Sequence, residues 1–247
     1  MHALPSIRPH DLLWIADARD LTFPAAPPDW ASAAWLVQAP VVVRREFTGD
    51  DERIPVGVRG MARAERAAGY IPVQRIVRRL TPEAVVESAA QTLPALNPAL
   101  PCIRAFVWVE PLLDALGLPW GVTGSAGFAL ATGLAVLRES SDLDLLIRAP
   151  ARLSERDATA LTDALSDAPA RIDAQIDTGL GGFALLEWQA RRGRVMLKTA
   201  RGPVLVENPW DASEVHTALA ASTVSSSTVS SSIASSLAPH RSVTPER

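Results

Sequence analysis

Cysteine is nearly absent: Cys102 is the only one in the chain. That excludes a disulfide framework and any metal site built on several thiolates. Histidine occurs only as His2, His10, His216 and His240, so none falls between positions 11 and 215. A Ser-His-Asp or Cys-His mechanism needs an imidazole inside the folded region, and so does a histidine zinc site. Both are excluded over that stretch. Lysine is reduced to Lys198. Positive charge is left to arginine, whose planar fork suits bidentate contacts with phosphate. Neither sign of charge dominates, with a formal net charge of -3. The chain is therefore no bulk nucleic-acid binder, and any steering of a polyanion has to be local. No run reaches the roughly 20 apolar residues of a membrane span. The nearest, Val122–Leu137, carries Thr, Ser and three glycines. The expectation is a soluble, cytoplasmic protein with no nucleic-acid and no membrane partner.

What is present is enough for one large domain or two small ones in 247 residues. The first part reads as β-rich. Ala34–Arg45 contains the β-branched run Val41-Val42-Val43, and Ile54–Gly60 alternates before turning at Gly60. Thr81-Pro82-Glu83 opens a helix to about Leu93: Thr81 as N-cap, Pro82 in the first turn, Glu83 against the positive helix end. Pro94, Pro98 and Pro101 make a stiff connector and place a boundary near residue 95. The second part alternates types. Ile103–Val109 fits a short strand or a helix start, Glu110–Leu116 a helix, and Trp120–Val122 a strand. A helix from Gly124-Ser125 to about Arg138 and a strand at Asp142–Arg148 come next. They precede a helix at Ser154–Ser166 and a strand at Arg171–Asp177. Phe183–Gln189 and Arg194–Thr199 read as two more strands across a charged turn at Arg191-Arg192-Gly193. The expected fold is α+β: a β-rich domain over residues 1–94, then a mixed sheet flanked by helices over residues 95–211. Residues 212–247 are Ser/Thr-rich and poor in large apolar side chains. They are expected to be disordered, and loss of residues 215–247 is expected to be silent.

The chemistry centres on Ser141-Asp142-Leu143-Asp144-Leu145-Leu146-Ile147. Side chains alternate along a strand, so Asp142 and Asp144 share one face while Leu143, Leu145 and Ile147 share the other. Two residues of strand span roughly 6.6 Å, close enough for both carboxylates to converge on one ion or a close pair. Without a cation the two charges disfavour each other. Hard oxygen donors in an open shell suit magnesium and a substrate phosphate. The segment just before adds Thr123-Gly124-Ser125 at a helix start. Gly124 lets a ligand approach the backbone, Ser125 can cap, and free N–H groups there favour an anion. In Arg171–Ile176, Asp173 and Gln175 share a face opposite Ile172, Ala174 and Ile176. A neighbouring strand could bring Asp173 beside the pair, with Asp177 as a weaker substitute. Arg59, Arg63 and Arg66 fall at helical spacings, either to meet phosphate or an acidic carrier protein, or as a solvated face. Lys198, near a strand end, either neutralises a leaving pyrophosphate or is an exposed strand lysine.

A helix start with Gly-Ser, then D-x-D, then a lone Asp on a later strand resembles the polymerase β-like nucleotidyltransferase superfamily. Over Arg8–Trp210 the chain is similar to a narrower family, the phosphoribosyl-dephospho-CoA transferases that make the holo acyl carrier protein of malonate decarboxylase. PHDLLWI, PVVVRR, IPVGVRG, TGSAGFALATG, SDLDLLIRAP and RIDAQID followed by GGFALLEW carry the resemblance, in that order. It implies 2'-(5''-triphosphoribosyl)-3'-dephospho-CoA as donor and a serine of the malonate decarboxylase acyl carrier subunit as acceptor, with pyrophosphate leaving. It implies Asp142, Asp144 and Asp173 as magnesium ligands, and Gly124 and Ser125 as the triphosphate-binding helix start. Two other readings stand beside it. One is another nucleotidyltransferase acting on a small molecule, RNA or a protein. The other is a non-catalytic nucleotide-binding module, against which three retained carboxylates argue.

Overall fold

A computed structural model describes residues 6–190 and 193–222. The turn at Arg191-Arg192 and the segment 223–247 lie outside the described residues. The fold is α+β, with two sheets. The first is wholly antiparallel, in the order β4-β3-β2-β1-β5, from β1 (Leu12–Ile15), β2 (Val41–Val43), β3 (Arg53–Arg59), β4 (Arg66–Pro72) and β5 (Ile76–Leu80). The second runs β11-β10-β9-β8-β7-β6. Its strands are β6 (Trp120–Val122), β7 (Leu143–Arg148), β8 (Ile172–Asp177), β9 (Gly182–Ala184), β10 (Val195–Thr199) and β11 (Gly202–Val206). Among the described residues only β7 and β8 are parallel neighbours. Parallel neighbours need a crossover, which α5 (Glu155–Ser166) supplies, with Ser154 Oγ capping it at the Asp157 N–H.

Helix α2 (Pro82–Thr92) starts as its residues dictate: Thr81 Oγ1 accepts from the Ala84 N–H at 3.2 Å, and Glu83 lies in the first turn. Although α2 precedes residue 94, its buried Val85 and Ala89 pack with β6 and α4 (Gly124–Thr132) of the second sheet's core. The first sheet has its own core, with Leu13, Ile15, Val56 and Ile71 buried against α1 (Ala33–Gln38).

Several expected elements differ. Ala33–Gln38 is a helix, not strand, because Ser32 caps it at the Trp35 N–H and Leu36 seats it on the first core. Ile103–Val109 and Glu110–Leu116 form one helix, α3 (Pro101–Ala115), which runs through Pro111. Helix α4 stops at Thr132, six residues early, because Gly133 takes a left-handed φ of 72° and closes it. Phe183–Gln189 divides into β9 and a short helix, α6 (Leu185–Gln189). The spacing of Arg59, Arg63 and Arg66 is not helical; it spans a β-hairpin in which Arg59 and Arg66 are cross-strand partners.

The expected disorder from residue 212 is overturned for residues 212–222, which are helical. Asp211 Oδ1 accepts from the Ser213 and Glu214 N–H groups, and Val215 is only 3% exposed. Ala218 and Leu219 pack on the same core, and the Trp210 indole donates to Ala149 O at 2.8 Å. Removing residues 215–247 should therefore lower the melting temperature. Val215→Ala alone should cost about 1–2 kcal/mol, by loss of buried apolar surface. A thermal melt that leaves either variant at the parent value would refute this docking.

Candidate active site

Strand register brings the carboxylates together. Asp144 is the second residue of β7, and its Cα partner across the parallel pair is Asp173 on β8. Adjacent strands lie about 4.8 Å apart, and opposed residues in a parallel pair project to the same side. Asp142 stands just before the first residue of β7. Burial, reinforced by the charges of Asp142 and Asp173, raises the Asp144 carboxyl to about 6. Arg63, at the β3–β4 turn, and Arg171 offset part of that repulsion. The ionised form of Asp144 is thus opposed by two neighbouring acids. Among the described residues no group of three or more His, Cys, Asp or Glu side chains is arranged to hold a metal ion. An open set of hard oxygens nonetheless suits magnesium, which commonly takes one or two carboxylates and completes its shell with water and phosphate.

The start of α4 abuts this patch. The Thr123 N–H donates to Asp144 O at 2.9 Å, and the chain then turns into the helix through Gly124 at φ 61°. A Cβ at Gly124 would overlap Asp144 Oδ2 and sit 2.6 Å from its Cγ. Thr123 is the N-cap and makes no side-chain cap, so Ser125 lies inside the helix rather than capping it. Its hydroxyl instead accepts from Arg59 Nη1 and Nη2, both at 3.3 Å. Arg59 comes from β3 of the other sheet and lies over the Phe128 ring, 4.7 Å from its centroid.

A cavity of about 460 Å³ opens between the sheets at this point. Arg44, Arg45, Arg59, Arg66 and Lys198 line it, together with Gln175 and His10. His10 corrects the histidine argument: sequence position put it outside the stretch considered, yet the fold places it in the cavity wall. Its backbone is left-handed at φ 75°, the one non-glycine residue with positive φ among the described residues, in a region that His enters more often than most residues with a side chain. Burial, with Arg45 and Arg148 nearby, lowers it to about 4, so it is a neutral, weak base at neutral pH. The histidine-poor composition gave no signal of this.

Asp177 is not part of the carboxylate patch. It pairs with Arg148 and, at 3.5 Å, with Arg45, and accepts from the Gly179 N–H at 2.9 Å. Burial alone would raise its carboxyl, but Arg45, the Gly179 N–H and Arg148 outweigh that and hold it below its ordinary value. Arg148 also reaches Glu83 at the start of α2 at 2.8 Å. Asp173→Asn should accordingly depress turnover with little change in melting temperature. Asp177→Asn should destabilise, toward the roughly 3–5 kcal/mol seen when one partner of a buried pair is lost. Parallel melts and turnover measurements on the two variants decide; the reverse pattern would make Asp177 the third carboxylate.

Comparison with known proteins shows the family. Residues 8–82 match the family model described as phosphoribosyl-dephospho-CoA transferase MdcG N-terminal domain, and residues 87–209 match the MdcG C-terminal domain of the same name. A phosphoribosyl-dephospho-CoA transferase of Pseudomonas aeruginosa is 47% identical over 208 residues, covering 84% of this chain and 95% of that one. One from Klebsiella pneumoniae is 43% identical over 221 residues, covering 87% and 100%. One from Azotobacter vinelandii is 43% identical over 207 residues, covering 82% and 94%. No solved structure matches. The protein is thus a transferase enzyme. The chain belongs to the phosphoribosyl-dephospho-CoA transferase family. No helix among the described residues is long and apolar enough to cross a membrane.

Proposed function

We propose that this chain attaches the phosphoribosyl-dephospho-CoA group to a serine of the malonate decarboxylase acyl carrier subunit, by nucleotidyltransferase chemistry. The donor is 2'-(5''-triphosphoribosyl)-3'-dephospho-CoA. The observation that carries the reading is Asp144, set between Asp142 and Asp173 and directly against the uncapped start of α4. Asp142 and Asp144, with Asp173 beside them, would hold magnesium, which would supply charge neutralisation on the donor phosphates.

The protein's own groups do the rest. The first N–H groups of α4 and the Ser125 hydroxyl hold the triphosphate oxygens and stabilise charge as it moves onto the leaving group. Gly124 keeps the backbone low enough for that approach. Asp173 takes the proton of the carrier serine, whose Oγ forms a bond to the α-phosphorus as the bond to pyrophosphate breaks. The products are a phosphodiester on the carrier and free pyrophosphate. Lys198, which lines the cavity, neutralises pyrophosphate as it departs.

The test incubates the full chain with carrier subunit, donor and magnesium, followed by intact mass and a pyrophosphate assay. The expected result is a mass gain equal to the donor minus pyrophosphate, abolished by EDTA and restored by magnesium. Adenylation of the carrier from ATP without transfer from this donor would reject the donor. Transfer that persists in EDTA would reject the metal chemistry.

A further inference from the structure

Arg59 is 6% exposed, yet among the described residues no carboxylate pairs with it. Among the described residues its guanidinium meets the Ser125 hydroxyl, at a long 3.3 Å, and the face of Phe128. Its Nε is buried with no acceptor. The charge that bears on it most is a like one, Arg66, its cross-strand partner. A buried cation without a counter-ion is costly, and proteins retain one where something else supplies the negative charge. The same cavity wall carries no Asp or Glu. Arg44 pairs with Glu46, and Arg45 with Asp177. Arg59, Arg66 and Lys198 have no such partner among the described residues, and they come from both sheets.

We infer that the cavity between the sheets is a composite seat for a linear polyphosphate, with Arg59 clamping the anion from the N-terminal sheet against the start of α4. The N-terminal sheet is then half of the anion site, not a separate recognition module. A helix N-terminus offers N–H donors on one side. The guanidinium offers a fork on the other, with its Nε still free for an oxygen. Arg66 and Lys198 extend the positive wall beyond the reach of one phosphate, which selects a chain of phosphates over a single one. The inference rests on the proposed transfer only for the identity of the natural ligand, whose triphosphate this seat would hold.

The probe is inorganic tripolyphosphate, titrated calorimetrically into the full chain in EDTA, so that no metal reports the binding. Pyrophosphate and sulfate serve as shorter comparisons. The expected order is tripolyphosphate, then pyrophosphate, with sulfate weakest. Arg59→Met should lose at least tenfold in tripolyphosphate affinity, yet melt at the parent temperature or above when ligand-free, because an uncompensated buried cation has gone. Arg66→Met, at a more exposed position, should lose severalfold. If Arg59→Met does not fold, Arg59→Lys serves: it keeps the charge without the fork and should fall between parent and background. Unchanged tripolyphosphate affinity in a folded Arg59 variant would overturn the inference. So would a parent that binds sulfate as tightly as tripolyphosphate. Polyphosphate binding lost in Arg59→Met, with no transfer from the proposed donor in the parent, would uphold the seat and reject the donor.

Discussion

Asp142→Ala and Asp144→Ala should each lower turnover by orders of magnitude while leaving the metal-free protein as stable as the parent, or slightly more so. The two effects have one origin. Asp144 is held where burial and two neighbouring acids oppose its ionised form. Its stability contribution has the opposite sign to that of a carboxylate in an ion pair. A group whose folded value lies above the unfolded one destabilises the fold when ionised, and that penalty disappears as pH falls from about 6 through the ordinary carboxylate range. Deleting it removes the penalty at neutral pH together with the proposed cation ligand. A melt in EDTA and a turnover assay in magnesium separate the two. Near-normal turnover in either variant would remove that residue from the metal site. A large loss of stability would make it a structural carboxylate.

Gly124→Ala should be more damaging still, because it fails on both counts. The position has a φ of 61°, which costs a residue with a side chain roughly 1–2 kcal/mol. The new methyl would also overlap the Asp144 carboxylate. Rotating Asp144 away is insufficient, since its Cβ also lies 3.0 Å from the added atom. The expected result is turnover as low as in Asp144→Ala, with a melting temperature below the parent. Combining Gly124→Ala with Asp144→Ala should recover part of the melting temperature and none of the turnover. A single variant that keeps most of its turnover would mean that the contact between the start of α4 and Asp144 is not needed for the reaction.

The carboxylate patch was legible because alternation along a strand is a local property. Once Asp144 and Asp173 were placed on strands with apolar opposite faces, only the pairing had to be supplied, and the α5 crossover supplies it. The start of α2 was legible for the same reason, since Thr81, Pro82 and Glu83 act within one turn. Other features depended on distant packing. Leu185–Gln189 has strand-like apolar content, yet it coils because Leu185 is drawn into the core. The helix over residues 212–222 had a readable signal in Asp211 and the spacing of Val215, Ala218 and Leu219, but the serine-rich sequence beyond it outweighed that signal. His10 was illegible as a neighbour of the site, and Arg59 was legible as a phosphate candidate but not in its place beside Ser125, because nothing along the chain says that two sheets will close on each other.

That closure has a consequence for synthesis. The carboxylate pair is translated by residue 144 and its third member by residue 173, while the cavity wall waits for Lys198 on β10. A nascent chain emerging from the ribosome therefore carries its concentrated negative charge before the pocket that is to face it has been completed. Until β10 adds to the sheet, Arg59 has a partial seat to guard and no closed chamber. Competence to hold a phosphate chain should arrive abruptly, in the last fifth of the chain, rather than domain by domain.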